Sequence, residues 1–421
     1  MLTLLALACT DPDTADTEAA ASGLSVTADA DMPLRATARW PGGTESWLTW
    51  EGRSTARTTT GEARLIGLPA NTLLEVTLND ASGPLETVTL QTGSPPNDFP
   101  ELTASGVGFG AGYLVSTWAG PDGSSPYAFA LDGGGRLVWY APLAPLLPTG
   151  AERTNPVPWG VRAQDGAAWV SLMSWGAGLA WLPFDDRPAR ARPLEAAHHD
   201  FEVLPDGSLA YLRAVTRSLD GELVTGDELV IRDTSDRTVV LWNAFDALPI
   251  ERHEGWSAFP EAPGDWTHAN GIAFDPVTRT WTVSLYWLHT LAQIDERTGA
   301  MTLLDGRATP EPFGPQHSPG WSGEGWWMFD NGSPSTGSRA LHVSPTGERL
   351  EAWSPPGQRY TPVIGDVEHR ADDLLAVSMG PITELWVAGP ASEGRETLLF
   401  VRGEGPASFG QVAWVDSLTT P

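Results

Sequence analysis

One pattern recurs through most of the chain: two short segments of alternating apolar and polar residues, joined by a tight turn. The turns are rich in aspartate, threonine and glycine, and clear instances are Ala130–Trp139, Val203–Tyr211, Ala273–Val283, Ile294–Thr302 and Val343–Leu350. Such turns between alternating segments are typical of β-hairpins. Because residues 101–421 show almost no helical periodicity, the pattern predicts an all-β fold for this part of the chain.

The length of this repetitive region predicts a six-bladed β-propeller over residues 101–421. Roughly 320 residues, divided by the ~50 residues of kelch-sized repeats, correspond to about six blades. A propeller closes radially and leaves only short strand edges, which suits a chain that has no helices to cover a sheet. A large two-sheet sandwich is the alternative.

A second region of short strands precedes the repeats. Residues 24–94 contain six alternating segments separated by Gly, Pro, Asn and Asp turns, which predicts a small β-sandwich of the fibronectin III or immunoglobulin type. Within it, Gly67–Thr72 and the strand that follows resemble the late-strand corner of fibronectin type III-like domains. The Pro-rich residues 95–100 read as a linker between the two domains.

The first 23 residues have the character of an export signal and a tether. Met1–Thr10 is an apolar run that ends in small residues before Cys9, as at a lipoprotein cleavage site, although no basic residue precedes it. The run is shorter than the ~20 residues that span a bilayer. Asp11–Ser22 is acidic and aperiodic, as expected of a tether. We therefore expect an exported protein, lipid-anchored through Cys9 to the cell envelope (periplasm, outer membrane or cell surface); an ordinary N-terminus is the alternative.

Charge and motif content argue against several classes of function. The 25 Lys and Arg residues face 53 Asp and Glu residues, a net charge of −28, which disfavours nucleic acid and anionic membrane surfaces as partners. The sequence has no Gly-rich phosphate loop, Cys/His zinc pattern or serine nucleophile elbow. Asp330-Asn331-Gly332 lacks calcium-loop spacing and reads as a turn. We expect no cofactor and no metal.

Histidines are the best candidates for chemistry. The only cysteine is Cys9, so a covalent nucleophile would be His, Ser, Thr or Tyr. Of the eight histidines, His198, His199, His268 and His317 stand in loops just before predicted strands. In a propeller, such loops gather around the central channel, so these side chains are expected to converge. Purely structural histidines are the alternative.

Several motifs resemble those of the bacterial arylsulfate sulfotransferases. They are, in chain order, His198-His199-Asp200, His268-Ala269-Asn270, Val283-Ser284, Gln316-His317, Asp330-Asn331-Gly332 and Ser338-Arg339. The resemblance extends over roughly residues 100–400. It implies an N-terminal β-sandwich, a six-bladed propeller with a central site, and transfer of a sulfuryl group from a phenolic sulfate ester to a phenolic acceptor.

The resemblance also implies a ping-pong mechanism through a covalent sulfohistidine. His317 would be the nucleophile, and His268 and Asn270 would bind the sulfate oxygens or the phenolic oxygen. One of His198 and His199 would be a further sulfate contact or a proton donor. We take His268 and His199 as the other catalytic residues, and the further contacts to substrate as Asn270, His198, Arg339 and Tyr286. Neutral imidazole, with an ordinary pKa of ~6.5, is a good nucleophile near neutral pH. Donors on His and Asn side chains can stabilise the charge that spreads over the three sulfuryl oxygens.

The sequence departs from the family pattern at one important place. The family usually carries an arginine just after the Val-Ser of the strand, whereas Ser284–His289 contains none. Tyr286 or His289 could donate a hydrogen bond there. Arg339 could supply charge, and an exposed salt bridge is its alternative role. The disulfide of some members is excluded by the single cysteine. A non-catalytic propeller that binds ligands or proteins is therefore the main alternative; a metal- or quinone-dependent oxidoreductase is a distant one.

Tryptophans can supply the apolar walls that aromatic substrates require. Five tryptophans lie near the candidate loops: Trp159, Trp175, Trp266, Trp287 and Trp321. Packing between blades is the alternative role for each of them. The sequence leaves open a homodimer and the identity of the natural phenols.

Overall fold

The structure is a computed structural model that describes residues 23–120, 125–147, 158–172, 178–250, 252, 262–405 and 407–419. Cys9, the acidic tether and Trp175 lie outside the described residues, so the lipid anchor stays a prediction. Within the described ranges, no helix is long and apolar enough to cross a membrane.

The described residues are almost entirely β-structure, which confirms the predicted all-β class. Their single α-helix is α1 (Ala244–Ala247), and short 3-10 turns occur at Ala144–Leu146, Gly380–Ile382 and Ala391–Glu393. The chain divides into two compact units. One comprises the residues up to Leu65 together with Asn71–Gly93, and the other comprises Ile66–Ala70 together with Ser94–Pro421.

The first unit contains two antiparallel sheets in its described part. In spatial order, the strands of one sheet are β1 (Ser25–Ala28), β2 (Arg35–Arg39) and β5 (Glu62–Ile66). Those of the other are β4 (Arg53–Ser54), β3 (Ser46–Trp50), β6 (Leu73–Asp80) and β7 (Gly83–Gln91). Alternate residues such as Leu48, Leu74 and Val76 are buried, because successive side chains of a strand point to opposite faces.

The second unit contains the remaining described strands. In chain order they are β8 (Leu102–Gly106), β9 (Tyr113–Ala119), β10 (Tyr127–Asp132), β11 (Leu137–Pro142), β12 (Pro158–Gln164), β13 (Ala167–Leu172), β14 (Gly178–Pro183), β15 (Arg190–Arg192), β16 (Ala197–Val203), β17 (Leu209–Leu219), β18 (Glu222–Arg232), β19 (Thr238–Asn243), β20 (Ala269–Asp275), β21 (Thr280–Leu285), β22 (Thr290–Asp295), β23 (Met301–Asp305), β24 (Gln316–Trp321), β25 (Trp326–Ser333), β26 (Gly337–Val343), β27 (Arg349–Trp353), β28 (Asp366–His369), β29 (Leu375–Met379), β30 (Glu384–Ala388), β31 (Thr397–Gly403) and β32 (Ser408–Val415).

These strands form six antiparallel sheets over the described ranges. Four sheets follow chain order without interruption: β12 to β15, β16 to β19, β20 to β23, and β24 to β27. A fifth runs β28 to β31 and gains β8 at its edge, so that the start of the unit pairs with a strand near its end. The sixth has the order β11-β10-β9-β32, so that the last strand completes the first sheet.

The five hairpins predicted from the turn pattern are all present, and aspartate side chains stabilise four of the turns; Ser344 does so in the fifth. Asp132 Oδ1 accepts hydrogen bonds from the backbone N–H groups of Gly134 and Arg136, each at 3.0 Å. Asp206 accepts one from the Ser208 N–H at 2.9 Å. An aspartate that accepts a hydrogen bond from the backbone N–H two residues ahead favours a turn. For this reason, aspartate-containing turns between alternating segments predict hairpins.

One edge strand of each sheet lies beside an edge strand of the next sheet. β16 lies between β12 and β20, β24 lies between β20 and β28, and β32 lies between β28 and β12. We call β12, β16, β20, β24, β28 and β32 the central strands. Large side chains fill the space between neighbouring sheets; Trp266 and Trp281, for example, are fully buried in one cluster with Leu212 and Val283.

Candidate active site

Three central strands share a distortion at the histidines. Positive φ angles occur at His199 (48°), His268 (46°) and Ser318 (47°), and the pairing register of each strand shifts within a few residues of that point. Non-glycine residues in this conformation cost of order 1–3 kcal/mol, and they cluster at functional sites. The repeated bulge directs side chains from β16, β20 and β24 toward each other.

The histidine rings and one tyrosine form a continuous series of contacts. Ring centroids are 5.1 Å apart for His198 and His199, and 4.8 Å for His199 and His268. Tyr286 continues the series, 5.4 Å from His268 and 5.1 Å from His317. The sequence analysis named all five residues, and the structure brings them together. His268 is the most accessible of the four histidines, with 15% of its side chain exposed.

The tautomer of His317 is fixed by Asn331. The side-chain Nδ2 of Asn331 donates to the carbonyl oxygens of Thr361 and Ile364, both at 2.9 Å. Its Oδ1 therefore faces His317 Nδ1, 2.7 Å away, and accepts a hydrogen bond from it. The lone pair of the ring is then on Nε2, where it accepts a hydrogen bond from the Ile364 backbone N–H at 3.2 Å.

Burial keeps His317 neutral. It lowers the pKa of His317 to about 3; the hydrogen bond to Asn331 opposes this shift, and the neighbouring His268 adds to it. Burial also lowers the pKa of His199 well below its usual range, with further contributions from His268, His198 and His317. His317 is therefore in the nucleophilic form of imidazole throughout the neutral pH range.

The low pKa of His317 predicts a pH-dependent contribution to stability. Unfolding restores a pKa of ~6.5, so the unfolded chain binds a proton first as pH falls and the native state loses stability. We expect the difference in free energy of unfolding between the wild type and His317→Gln to fall by about 2 kcal/mol between pH 7.5 and pH 5. Denaturant titrations at the two pH values measure it; a difference independent of pH would contradict the assigned burial.

Asp265 holds His268. The Nδ1 of His268 is 2.5 Å from Asp265 Oδ2, and its backbone N–H donates to Asp265 Oδ1 at 3.1 Å. Both contacts use the carboxylate of a buried residue three positions earlier in the chain. The carboxylate of Asp265 accepts the hydrogen bond from Nδ1–H, and Nε2 lies on the opposite side of the ring.

A second carboxylate contacts His198. Asp227 Oδ1 lies 3.1 Å from His198 Nε2. Asp227 Oδ2 accepts hydrogen bonds from Thr267 Oγ1 and from the Ala269 N–H, both at 2.6 Å. On the other side of its ring, His198 Nδ1 is 2.8 Å from His199 Nδ1. Asp227 and Asp265 were both absent from the sequence prediction.

Asn270 and Gln316 are buried amide side chains close to the histidines. Asn270 Nδ2 donates to the Gln316 backbone carbonyl at 2.8 Å, and Asn270 Oδ1 has no hydrogen-bond partner among the described residues. Gln316 Nε2 is within 3.3 Å of the Leu285 and Thr290 carbonyl oxygens. Because a buried acceptor without a donor costs about 1–3 kcal/mol, the Asn270 oxygen favours a ligand with a hydroxyl or N–H group.

Tyr286 and Arg339, which were also predicted to contact substrate, form hydrogen bonds and ion pairs with protein groups. The hydroxyl of Tyr286 donates to the Pro362 carbonyl at 2.8 Å, and burial, with a smaller effect of Tyr360, raises its pKa to about 12. Arg339 instead contacts Asp330 at 2.8 Å, Glu311 at 2.7 Å and the Pro312 carbonyl at 3.1 Å. The structure does not bring Arg339 into the series of ring contacts.

His289 and the tryptophans have different environments. The His289 N–H donates to the Tyr286 carbonyl at 3.1 Å and so closes the turn after β21. Trp287 packs beside Tyr286 and His268, at centroid distances of 4.8 Å and 5.8 Å, and can form an aromatic wall. Trp159 and Trp266 are fully buried, as packing residues are, and Trp321 packs on Trp326.

A cavity of about 710 Å³ lies at the other ends of the central strands. Its lining includes Arg162, Glu202, Trp321, Asp366 and Glu368. Burial and the neighbouring Asp366 raise the pKa of Glu368 to about 8, and burial raises that of Asp366 to about 6. Three carboxyl groups beside one guanidinium make this cavity a poor place for a sulfate ester, unlike the histidine end.

Over the residues that the structure describes, no group of three or more His, Cys, Asp or Glu side chains is arranged to hold a metal ion. The polar groups of the site are instead imidazoles, two carboxylates that contact them, and amide groups.

Solved structures resemble the chain at low sequence identity. A protein of unknown function from Bacteroides caccae has a TM-score of 0.47 at 11% identity, over 73% of this chain and 100% of that one. Virginiamycin B lyase from Staphylococcus aureus, with quinupristin, has a TM-score of 0.41 at 9% identity, over 73% of this chain and 98% of that one. No curated protein matches the sequence.

A family model does match. It is that of the arylsulfotransferases (ASST), and it covers residues 113–309, somewhat less than half of the chain. His198, His199, His268 and Asn270 lie within the matched segment, and His317 lies shortly after it. Over residues 113–309, this match confirms the resemblance to the arylsulfotransferase family that the sequence motifs predict.

Proposed function

We propose that this protein is an aryl sulfate sulfotransferase. It would take a sulfuryl group from a phenolic sulfate ester and pass it to a phenolic acceptor through a covalent sulfohistidine at His317. The observation that carries the proposal is the state of His317: a buried, neutral imidazole whose Nδ1 proton is held by Asn331, so that Nε2 has the lone pair. The family match supports the reaction class.

In the proposed first half-reaction, His317 Nε2 attacks the sulfur atom, an S–N bond forms and the bond from sulfur to the phenolic oxygen breaks. The Nδ1 proton stays on the ring, which becomes positively charged, and Asn331 Oδ1 stabilises that charge. A second phenol then takes the sulfuryl group from Nε2. For attack to occur, the Ile364 N–H must first release the lone pair that it contacts at 3.2 Å.

Side chains other than arginine would hold the sulfuryl oxygens, because Ser284–His289 lacks one. Candidates are the Asn270 Nδ2–H that does not bond to Gln316, and His268 Nε2 when that ring, held by Asp265, carries protons on both nitrogens. Such donors in a buried site act in a low dielectric and are stronger than in water. Trp287 would contact the phenyl ring.

We further propose that the six sheets of the second unit are the blades of a six-bladed propeller and that the first unit is a fibronectin III or immunoglobulin-like sandwich. The succession of neighbouring central strands, with β32 beside both β28 and β12, supports radial closure. The two-sheet arrangement of the first unit supports a sandwich. Export and a lipid anchor at Cys9 remain proposals that rest on the sequence alone.

A binding protein without turnover is the second candidate. Two observations favour it: Ser284–His289 contains no arginine, and the His317 lone pair is occupied by the Ile364 N–H. In this case the histidine end would bind a phenol or its sulfate ester without transfer.

Release of nitrophenol from 4-nitrophenyl sulfate separates the two candidates. We expect release to depend on added phenol and to be accompanied by formation of phenyl sulfate, since a ping-pong enzyme stalls without an acceptor. Release at equal rates with and without phenol would indicate a sulfatase. Tight binding of the ester without any release would favour the binding protein.

A further inference from the structure

We propose that Asp227, His198 and His199 form a proton relay that supplies the leaving phenolate with a proton and later removes one from the acceptor phenol. In this relay, His199 Nε2 exchanges the proton with the phenolic oxygen, and His198 and Asp227 are positioning residues that act through His199. The inference rests on the proposed sulfuryl transfer and adds to it a source for the proton, because the Nδ1 proton of His317 stays with Asn331.

The contacts give the relay its direction. His198 Nε2 lies 3.1 Å from Asp227 Oδ1, so the carboxylate favours a proton on Nε2. His198 Nδ1 and His199 Nδ1 are 2.8 Å apart, and one hydrogen atom must lie between them. The position of that hydrogen decides whether His199 Nε2, the nitrogen on the far side of its ring, is a donor or an acceptor.

Two states follow from these contacts. When the pair is neutral, His198 accepts at Nδ1, His199 donates from Nδ1, and His199 Nε2 is an acceptor suited to a phenol O–H. When one proton is added, His198 is doubly protonated and donates from Nδ1, and His199 Nε2 carries a proton suited to a phenolate. The added charge thus stays on His198, beside the carboxylate of Asp227.

The protons balance over the two half-reactions. As the donor ester is cleaved, His199 Nε2 gives its proton to the phenolate oxygen, and the Nδ1 proton of His198 moves to His199 Nδ1. As the acceptor phenol attacks the sulfohistidine, its proton goes to His199 Nε2, and the Nδ1 proton returns to His198. No net proton is gained or lost by the protein in a full cycle.

The surroundings favour this division of charge. Burial raises the pKa of Asp227, but the contact with His198 and the hydrogen bonds from Thr267 and Ala269 outweigh it and lower the pKa overall, so Asp227 stays ionised. Burial and the surrounding His268, His198 and His317 keep His199 neutral. Of the two adjacent histidines, only His198 contacts the Asp227 carboxylate directly.

The first test uses the leaving group. In Asp227→Asn we expect kcat/KM to fall about 10²-fold for phenyl sulfate but less than about tenfold for 4-nitrophenyl sulfate, whose phenolate needs little help from an acid. The matched control is Asp275→Asn, which also removes a buried carboxylate that accepts from a threonine hydroxyl and a backbone N–H, without a histidine. Equal losses for both esters in Asp227→Asn would overturn the relay.

The second test reads the tautomers directly and requires no turnover. Long-range ¹⁵N–¹H spectra of the histidine rings, assigned with His199→Gln, should show wild-type His199 protonated on Nδ1 when the pair is neutral and on Nε2 when the pair holds one more proton. In Asp227→Asn, His199 should carry its proton on Nε2 at all pH values, because the amide N–H reverses the His198 tautomer. An unchanged His199 tautomer would overturn the proposal.

The turnover test and the tautomer test together show which of the two claims fails, the proton relay or the proposed sulfuryl transfer. A wild-type protein with the tautomer switch but without turnover of any aryl sulfate would contradict sulfuryl transfer, and with it the catalytic use of the relay. Turnover that is unaffected by Asp227→Asn, with no tautomer switch, would leave sulfuryl transfer intact and contradict the relay alone.

Discussion

Replacement of His317 by alanine is expected to lower aryl sulfate turnover by at least about 10³-fold, because it removes the atom that forms the bond to sulfur. The effect should appear in kcat/KM for the donor ester and for every acceptor phenol, since both half-reactions pass through the same nitrogen. Initial rates of nitrophenol release from 4-nitrophenyl sulfate in the presence of phenol provide the measurement.

His369→Ala is the matched control. His369 is also on a central strand and pairs with a carboxylate, Asp373, at 3.1 Å, but it lies at the other end of the strands and lines the acidic cavity. Its loss should leave the rate within about twofold of the wild type, as is usual for substitutions away from a site. Full activity in His317→Ala, or equal losses in both variants, would remove His317 from its proposed role.

Replacement of Asn331 by alanine is expected to have the second-largest effect, on both stability and turnover. The change leaves the His317 Nδ1–H and the Ile364 carbonyl oxygen without their partner, and the Thr361 carbonyl oxygen keeps only the Ser338 hydroxyl, at 3.3 Å. Unsatisfied buried groups of this kind cost about 1–3 kcal/mol each, so we expect the free energy of unfolding to fall by about 2–4 kcal/mol. Denaturant titration measures this loss.

The same variant should lose about 10²-fold in kcat on protein that is still folded, because loss of a group that orients a reactive imidazole typically costs 10–100-fold. Asn79→Ala, in the first unit, is the control: Asn79 Nδ2 also donates to two groups, Thr49 Oγ1 and the Thr77 carbonyl, yet kcat should not change. A stability loss in Asn331→Ala without any loss of kcat would show that Asn331 only packs the site.

Much of the fold follows from short-range signals. Turns such as the one around Asp132 identify themselves because the aspartate bonds to backbone groups only a few residues ahead. The pairing of β8 with β31, and of β9 with β32, could not be predicted in this way. Residues about three hundred positions apart meet in these pairs, and no local pattern records that contact.

Some residues of the candidate site could likewise be predicted from the local sequence, and others could not. The four histidines were found because each stands in a recognisable motif at the start of a strand. Asp265 could have been found as well, since it lies three residues before His268 and its carboxylate bonds to that residue. Asp227 gave no such signal: it lies within β18, and its relation to His198 depends on how separate strands are placed.

The prediction for Arg339 shows the limit of motif reasoning. Its position after Asp330-Asn331-Gly332 suggested a source of positive charge for the site. The sequence predicted a turn at these three residues, but they lie in β25 at an irregularity of its pairing with β26. In the structure, β25 and β26 place Arg339 opposite Asp330, and Glu311 provides a second carboxylate. A sequence shows that an arginine is present, but the register of the strands decides which carboxylates it contacts.

The most direct test of this account is detection of the covalent intermediate. Wild-type protein would be mixed with 4-nitrophenyl sulfate in the absence of phenol, quenched under conditions that preserve N-sulfo groups, digested and examined by mass spectrometry. The account predicts one added SO₃ group on the peptide that contains His317, its removal when phenol is added before the quench, and its absence in His317→Ala. Phenol-dependent turnover with no modified peptide, or with the group on another residue, would contradict the central role of His317.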